Sequence, residues 1–319
     1  MKRLTLLLLA LTLTACRLAP RAATPLPSTP EAASPSPAVP SPTASPLPTS
    51  TPAGHSLAPV FDLRYSDEPV DDPRQLSLDV YPTSAPNAPV VIFIHGGGWF
   101  HGNKSNVDAK PKAFNQHGMI FISVGYRLQP SVDISQQMGD AAASVAWVKE
   151  NIAEYGGDPN RIFLMGHSAG AHIVSLLATD ATYLEAEGLS LADIHGVISL
   201  DTQAYDINTL LDNAPERTKR VYTSAFGSDP QLWQLYSPIT YVKPGQSIPP
   251  FFLVYSGEAP GRSELAEHFA QALEDAGISV FIQPAAGKNH GQVNEDFGAP
   301  GEPMSEAAFR WLDEILENT

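Results

Sequence analysis

The sequence predicts an α/β domain built on a mainly parallel, doubly wound sheet, with flanking helices and a small insertion over the site. Three observations carry this. Unbroken apolar, β-branched runs recur through residues 60–319 and alternate with stretches of helical spacing. One such run, residues 161–165, leads through Gly166-His167-Ser168-Ala169-Gly170 into helix-like sequence at 171–178. Another, residues 89–94, ends in His95-Gly96-Gly97-Gly98-Trp99. Strands read as continuous apolar runs, rather than alternating ones, when crossover helices cover both faces of their sheet.

In chain order, residues 76–82 alternate in strand fashion, and Asn87-Ala88-Pro89 marks a turn before the buried strand at 89–94. The glycines that follow let the backbone approach a ligand closely and turn its amides inward. Residues 109–117 suit a helix, and residues 119–124 form a further buried strand that ends in Gly125-Tyr126-Arg127-Leu128. Arg127 reads as a brace for the loops after that strand. A helical pattern over 138–155 places Ala142, Val145, Ala146, Val148 and Ile152 on one side and stops at Gly156-Gly157-Asp158-Pro159. Beyond the serine motif, residues 196–200 are a strand ending at Asp201. Residues 202–248 lack strong periodicity and read as the insertion that shapes a pocket. Residues 250–256 are a strand leading to Gly257 and Glu258, 265–276 a helix, and 278–282 the last strand, followed by Gly287-Lys288-Asn289-His290-Gly291. A C-terminal helix over 306–317 gathers Ala308, Trp311, Leu312, Ile315 and Leu316.

The segment before the domain has a different composition. Lys2 and Arg3 precede an apolar stretch, residues 4–13, that is too short to span a bilayer. Residues 1–15 thus read as a signal peptide. Leu13-Thr14-Ala15-Cys16 resembles the lipobox of bacterial lipoproteins, which would make Cys16, the one cysteine of the chain, the lipidated terminus. Residues 16–59 read as a disordered tether. Twelve of the 30 prolines lie between positions 17 and 59, interleaved with Ser, Thr and Ala, and such sequence buries too little apolar surface to offset the entropy of ordering. The expected location is the bacterial cell envelope, with the lipid anchor as the contact to a membrane.

The formal charge is −15, or −17 once Lys2 and Arg3 leave with the signal. So acidic a chain lacks the clustered Lys and Arg that phosphate neutralisation needs, so nucleic acid is not an expected partner. No dinucleotide fingerprint or metal-ligand spacing occurs, and neither a cofactor nor a metal is expected. With one cysteine, no disulfide can form within the chain.

A serine between a strand and a helix in G-x-S-x-G sits on a sharp turn that lifts its hydroxyl off the sheet toward the helix N-terminus, the geometry of a nucleophile. The paired motifs His95-Gly96-Gly97-Gly98-Trp99 and Gly166-His167-Ser168-Ala169-Gly170 resemble the α/β-hydrolase fold, in the esterase/lipase branch related to hormone-sensitive lipase and carboxylesterases. The resemblance covers residues 60–317. It implies Ser168 as nucleophile and His290, after the last strand, as base. It further implies the amides of Gly97, Gly98 and Ala169 as oxyanion donors, with no cofactor. His95 reads as ordering its loop, and His167 and His172 as lining or packing.

The acid is the point of departure from the family pattern. Relatives often carry a Gly-x-x-Asp turn after the penultimate strand, and this chain has no aspartate there. Glu258 is the nearest carboxylate and the expected acid; Asp201, at the end of the preceding strand, is the alternative. The implied activity is hydrolysis of small-acyl or aryl carboxylic esters, on a small molecule or a polymer, through an acyl-enzyme. A formamidase or amidase with the same triad, or a non-catalytic surface protein of this fold, are the other readings. Oligomeric state is left open.

Overall fold

The computed structural model describes residues 57–257 and 261–318. The predicted signal peptide, Cys16 and all but the last three residues of the tether therefore lie outside the described residues, as does Glu258.

An eight-stranded sheet forms the centre, in the order β1-β2-β4-β3-β5-β6-β7-β8. The strands are β1 Val60–Arg64, β2 Ser77–Tyr81, β3 Ala88–Ile94, β4 Ile120–Gly125, β5 Gly157–His167, β6 Ile194–Leu200, β7 Phe251–Ser256 and β8 Val280–Ala285. The pairs β1/β2 and β2/β4 are antiparallel and all the others parallel. Strand order reverses at β3, which lies between β4 and β5, so the β3-to-β4 and β4-to-β5 crossovers run on opposite faces. β1 is an addition to the sequence expectation. It is an edge strand with only intermediate and exposed residues and an irregular register against β2, so no run of apolar residues marks it.

The faces follow from strand alternation. In β3, Val90, Ile92 and Ile94 join one core cluster, whereas Val91 and Phe93 join the other. The first core is completed by α2 (Ile134–Asn151), α3 (Ala169–Leu177) and α8 (Arg262–Asp275), through residues such as Val145, Ile173 and Phe269. The second is completed by α1 (Lys110–Gln116) and α10 (Pro303–Glu317), where Phe114, Phe309, Trp311 and Leu312 pack. Burying a large apolar side chain contributes about 1.5–3 kcal/mol. With β3, β4 and the C-terminal half of β5 buried on both faces, this double layer is the main source of stability. α2 starts with a full capping box, Asp133 accepting from the Gln136 amide while the Gln136 side chain accepts from that of Asp133.

Residues 202–248 hold three short α-helices, α5 (Ile207–Asn213), α6 (Glu216–Phe226) and α7 (Pro230–Leu235), and a 3-10 turn over Pro238–Tyr241. α4 (Thr182–Ala186) and α9 (His290–Glu295) were not expected; the sequence reading has His290 in a loop, whereas it opens α9 beneath the N-cap Asn289. Among the described residues no helix is long and apolar enough to cross a membrane.

Candidate active site

The site lies at the C-terminal ends of β3, β5 and β6, where an open parallel sheet leaves a crevice at its switch point. Ser168 occupies the one-residue corner between β5 and α3 with φ 56° and ψ −116°, a conformation strained for any residue with a Cβ. Its glycine neighbours are required by close approach. A Cβ on Gly166 would lie 2.2 Å from the Gly170 carbonyl oxygen, and one on Gly170 would lie 2.0 Å from that of Ile94. The corner is held to the next strand by the Ser168 amide, which donates to the Leu200 carbonyl at 2.9 Å.

From this corner a chain of hydrogen bonds leads inward. The Ser168 hydroxyl donates to His290 Nε2 at 2.9 Å, and His290 Nδ1 lies 2.7 Å from Asp201 Oδ2. A carboxylate can only accept, so the His290 proton sits on Nδ1 and the Nε2 lone pair faces the serine. Asp201 is fully buried at φ 57°, its amide bonded to the Val254 carbonyl at 2.8 Å. The Ser256 amide donates to its Oδ1 at 2.8 Å, and Arg262 Nη1 lies 3.3 Å from that same oxygen. Burial opposes ionisation of Asp201, but the His290 hydrogen bond, the Arg262 charge and the Ser256 amide together hold its carboxyl below its ordinary value.

Of the sequence-predicted residues, Ser168 and His290 are therefore brought together. The expected acid needs correction: the carboxylate on His290 Nδ1 is Asp201, the alternative, and Glu258 lies outside the described residues. The reason is strand order. β6 lies directly beside β5, so the residue after β6 already reaches the serine corner, and the end of β7 contributes an amide to the carboxylate in place of a carboxylate of its own.

The glycine loop divides in two. Gly98 and Ala169 line a cleft of about 220 Å³ together with Ser168 and His290. No atom stands within 4 Å of where a Gly98 Cβ would be, so this backbone is open to close approach. Gly97 lines a different cavity, of about 310 Å³, with His95, His101 and His167. There it forms a turn, its carbonyl accepting from the amides of Phe100 and His101.

The other histidines at the site, His95, His167 and His172, are structural, and hydrogen bonds define the tautomer of each. His95 donates from Nδ1 to the Gly96 carbonyl at 2.8 Å and stacks on Tyr126 at 4.5 Å, so it orders the loop. Trp99 Nε1 donates to His172 Nδ1 at 3.3 Å, which leaves the His172 proton on Nε2 for the Tyr236 carbonyl at 2.8 Å. His167 does more than pack: its Nε2 donates to the backbone carbonyl of His290 at 2.9 Å and so fixes the segment that carries that imidazole. Burial pushes His95 and His172 down to about 4 and His167 to about 3, the neighbouring His290 adding to the effect at His167. Arg127 braces loops as expected, paired with Asp140 at 2.6 Å and Glu68 at 3.0 Å. Sequence reasoning gave no role to Arg262 and only lining or packing to His167, because each acts on a residue far away in the chain.

The chain resembles known proteins over most of the described region. A family model, BD-FAE, matches residues 78–260. Esterase LipQ of Mycobacterium tuberculosis is 32% identical over 237 residues, a match that covers 68% of this chain and 55% of LipQ. The carboxylesterase NlhH of the same organism is 29% identical over 276 residues, covering 79% of this chain and 82% of NlhH. Among solved structures, Esterase B from Lactobacillus rhamnosus superposes with a TM-score of 0.68 at 24% identity, over 82% of this chain and 86% of its own, a likeness of fold. The chain spans about half the length of several of the curated relatives that it matches. The matched residues run from β2 through the glycine loop, the serine corner and Asp201 to the end of β7, and the chain belongs to the BD-FAE family of the α/β-hydrolase fold.

Proposed function

We propose that the chain is a serine carboxylesterase whose triad is Ser168, His290 and Asp201. The observation that carries this reading is the continuous hydrogen bonding from Ser168 Oγ through the imidazole to a buried, ionised carboxylate, at 2.9 and 2.7 Å. Esterase names among the relatives support the reaction class. Ser168 attacks the ester carbonyl as His290 Nε2 takes its proton, and Asp201 stabilises the imidazolium and keeps its orientation. The amides of Gly98 and Ala169, which line the cleft with Ser168, face the developing oxyanion, whereas Gly97, expected as a further donor, lines the neighbouring cavity instead; one such donor is worth about 3–4 kcal/mol. His290 then protonates the leaving alcohol, and a water repeats the sequence on the acyl-serine.

Hydrolysis of p-nitrophenyl acetate, butyrate and octanoate beside Ser168→Ala tests the reading. Release of nitrophenol that falls at least about 10⁴-fold in the variant supports it. Equal rates in both, or no turnover and no labelling of Ser168 by a phosphonate, would sink it. We further propose that Cys16 is lipidated and holds the domain at an envelope membrane. The mass of the N-terminal peptide of the mature protein tests that: an unmodified Cys16 would exclude it.

A further inference from the structure

The cleft above Ser168 carries an unequal set of charges. Besides Tyr222, whose hydroxyl stays neutral, four side chains that can carry charge line it: Asp201, His290, Arg217 and Arg262. Asp201 is spent, with one carboxylate oxygen on His290 and the other on the Ser256 amide and Arg262. Glu264 lines the adjoining cavity of about 410 Å³, which shares Gln203 and Thr218 with the first, and does not line the cleft at the serine. Two arginines thus stand against one committed aspartate, in a chain whose formal charge is −15.

Neither guanidinium is fully used. Arg262 opens α8 and donates from Nη1 to the Asp201 carbonyl at 3.0 Å. Its Nε is buried and has no partner among the described residues. A buried charged donor left without an acceptor is costly, and the Nε/Nη2 edge is the one with which arginine takes a carboxylate side-on. Arg217 projects from α6 and forms no ion pair among the described residues. A cleft of this size brings any anion bound by these arginines within a few bonds of the scissile carbonyl.

We propose that the site selects esters bearing a carboxylate close to the scissile bond, received by Arg262 at the base of the cleft and Arg217 at its rim. The proposal rests on the serine-esterase reading. The carboxylate belongs to the acyl part or to the alcohol part of the substrate, and two substrate pairs separate these cases. Mono-p-nitrophenyl glutarate against p-nitrophenyl pentanoate places the charge on the acyl side. 4-Acetoxybenzoate against 4-acetoxybenzamide places it on the leaving group.

With the full chain, kcat/KM favours the charged member of one pair by about tenfold or more, the value of a charge-assisted hydrogen bond. In Arg217→Gln that ratio falls by about tenfold, and in Arg217→Lys it is largely retained, because the point charge remains. Added salt lowers the ratio in the wild type, since Arg217 is exposed and screened. The proposal is overturned if neither pair favours the charged ester, or if the ratio is the same in wild type and Arg217→Gln. Hydrolysis of neutral esters without any preference removes this proposal alone. No hydrolysis of any of the four substrates removes the esterase reading beneath it.

Discussion

The two halves of the site are built on different principles. The serine half is local: one pentapeptide fixes the corner, and its glycines are dictated by contacts of 2.0 to 2.2 Å that a Cβ would make with backbone oxygens. The acid half is assembled at long range. Asp201 meets the amide of Ser256, 55 residues later, the guanidinium of Arg262, 61 residues later, and the imidazole of His290, 89 residues later. Backbone hydrogen bonds join the halves in series, Ser168 to Leu200 and Asp201 to Val254, so three adjacent strand ends move as one unit.

The most direct way to break the comparison is at the acid. Asp201→Asn preserves shape while removing the charge and tautomer control that His290 needs, and kcat for a nitrophenyl ester should fall about 10⁴-fold. Glu258→Gln, tested in parallel, should leave kcat within about twofold, since Asp201 is the carboxylate bonded to His290. The reverse pattern would return the acid to the end of β7 and dissolve the long-range half of the argument.

These halves also explain what the sequence could reveal. Ser168, the glycine loop and the parallel character of β3 to β8 are legible because each depends on a few contiguous residues or on the period of an apolar run. The choice of Asp201 over Glu258 depends on strand order, which no local pattern encodes. Position after the penultimate strand favours Glu258; lateral proximity favours Asp201, because β6 is the strand hydrogen-bonded to β5. His167 and Arg262 escape for the same reason, since the Nε2–H of one and the Nη1 of the other act on backbone carbonyls 123 and 61 residues away. The edge strand β1 and the short helices of residues 202–248 carry too few periodic apolar positions to declare themselves.

The local half is tested by its glycines. Gly170→Ala drives a methyl into the Ile94 carbonyl and separates α3 from β3, at a cost of about 1–3 kcal/mol as for other overpacked sites. A lower melting temperature and a lower kcat should appear together, because the same displacement moves Ser168. Gly257→Ala, at an exposed position with open space for a Cβ, should stay within about 0.5 kcal/mol of the wild type. Equal effects at both positions would mean that close packing is not what holds the corner.

The smallest effect expected near neutral pH concerns the seam where the two halves and the insertion meet, and it is read through its change with pH. His172 lies beneath that seam, accepting from Trp99 of the glycine loop and donating to the Tyr236 carbonyl of the insertion. Burial lowers His172 and His95 to about 4 and His167 to about 3 in the folded protein, whereas an unfolded histidine titrates near 6.5. Between these values the unfolded chain binds the more protons, so their stabilising contribution is complete above about pH 6.5 and declines as pH falls toward 4. Each such group adds up to about 1.4 kcal/mol per pH unit across its window. His172→Gln keeps a donor and an acceptor but cannot titrate. Its melting temperature should lie slightly below that of the wild type at pH 7.5 and decline less steeply from pH 6.5 to 4, so the two curves converge. Parallel curves over that range would show that His172 is not held neutral by its burial.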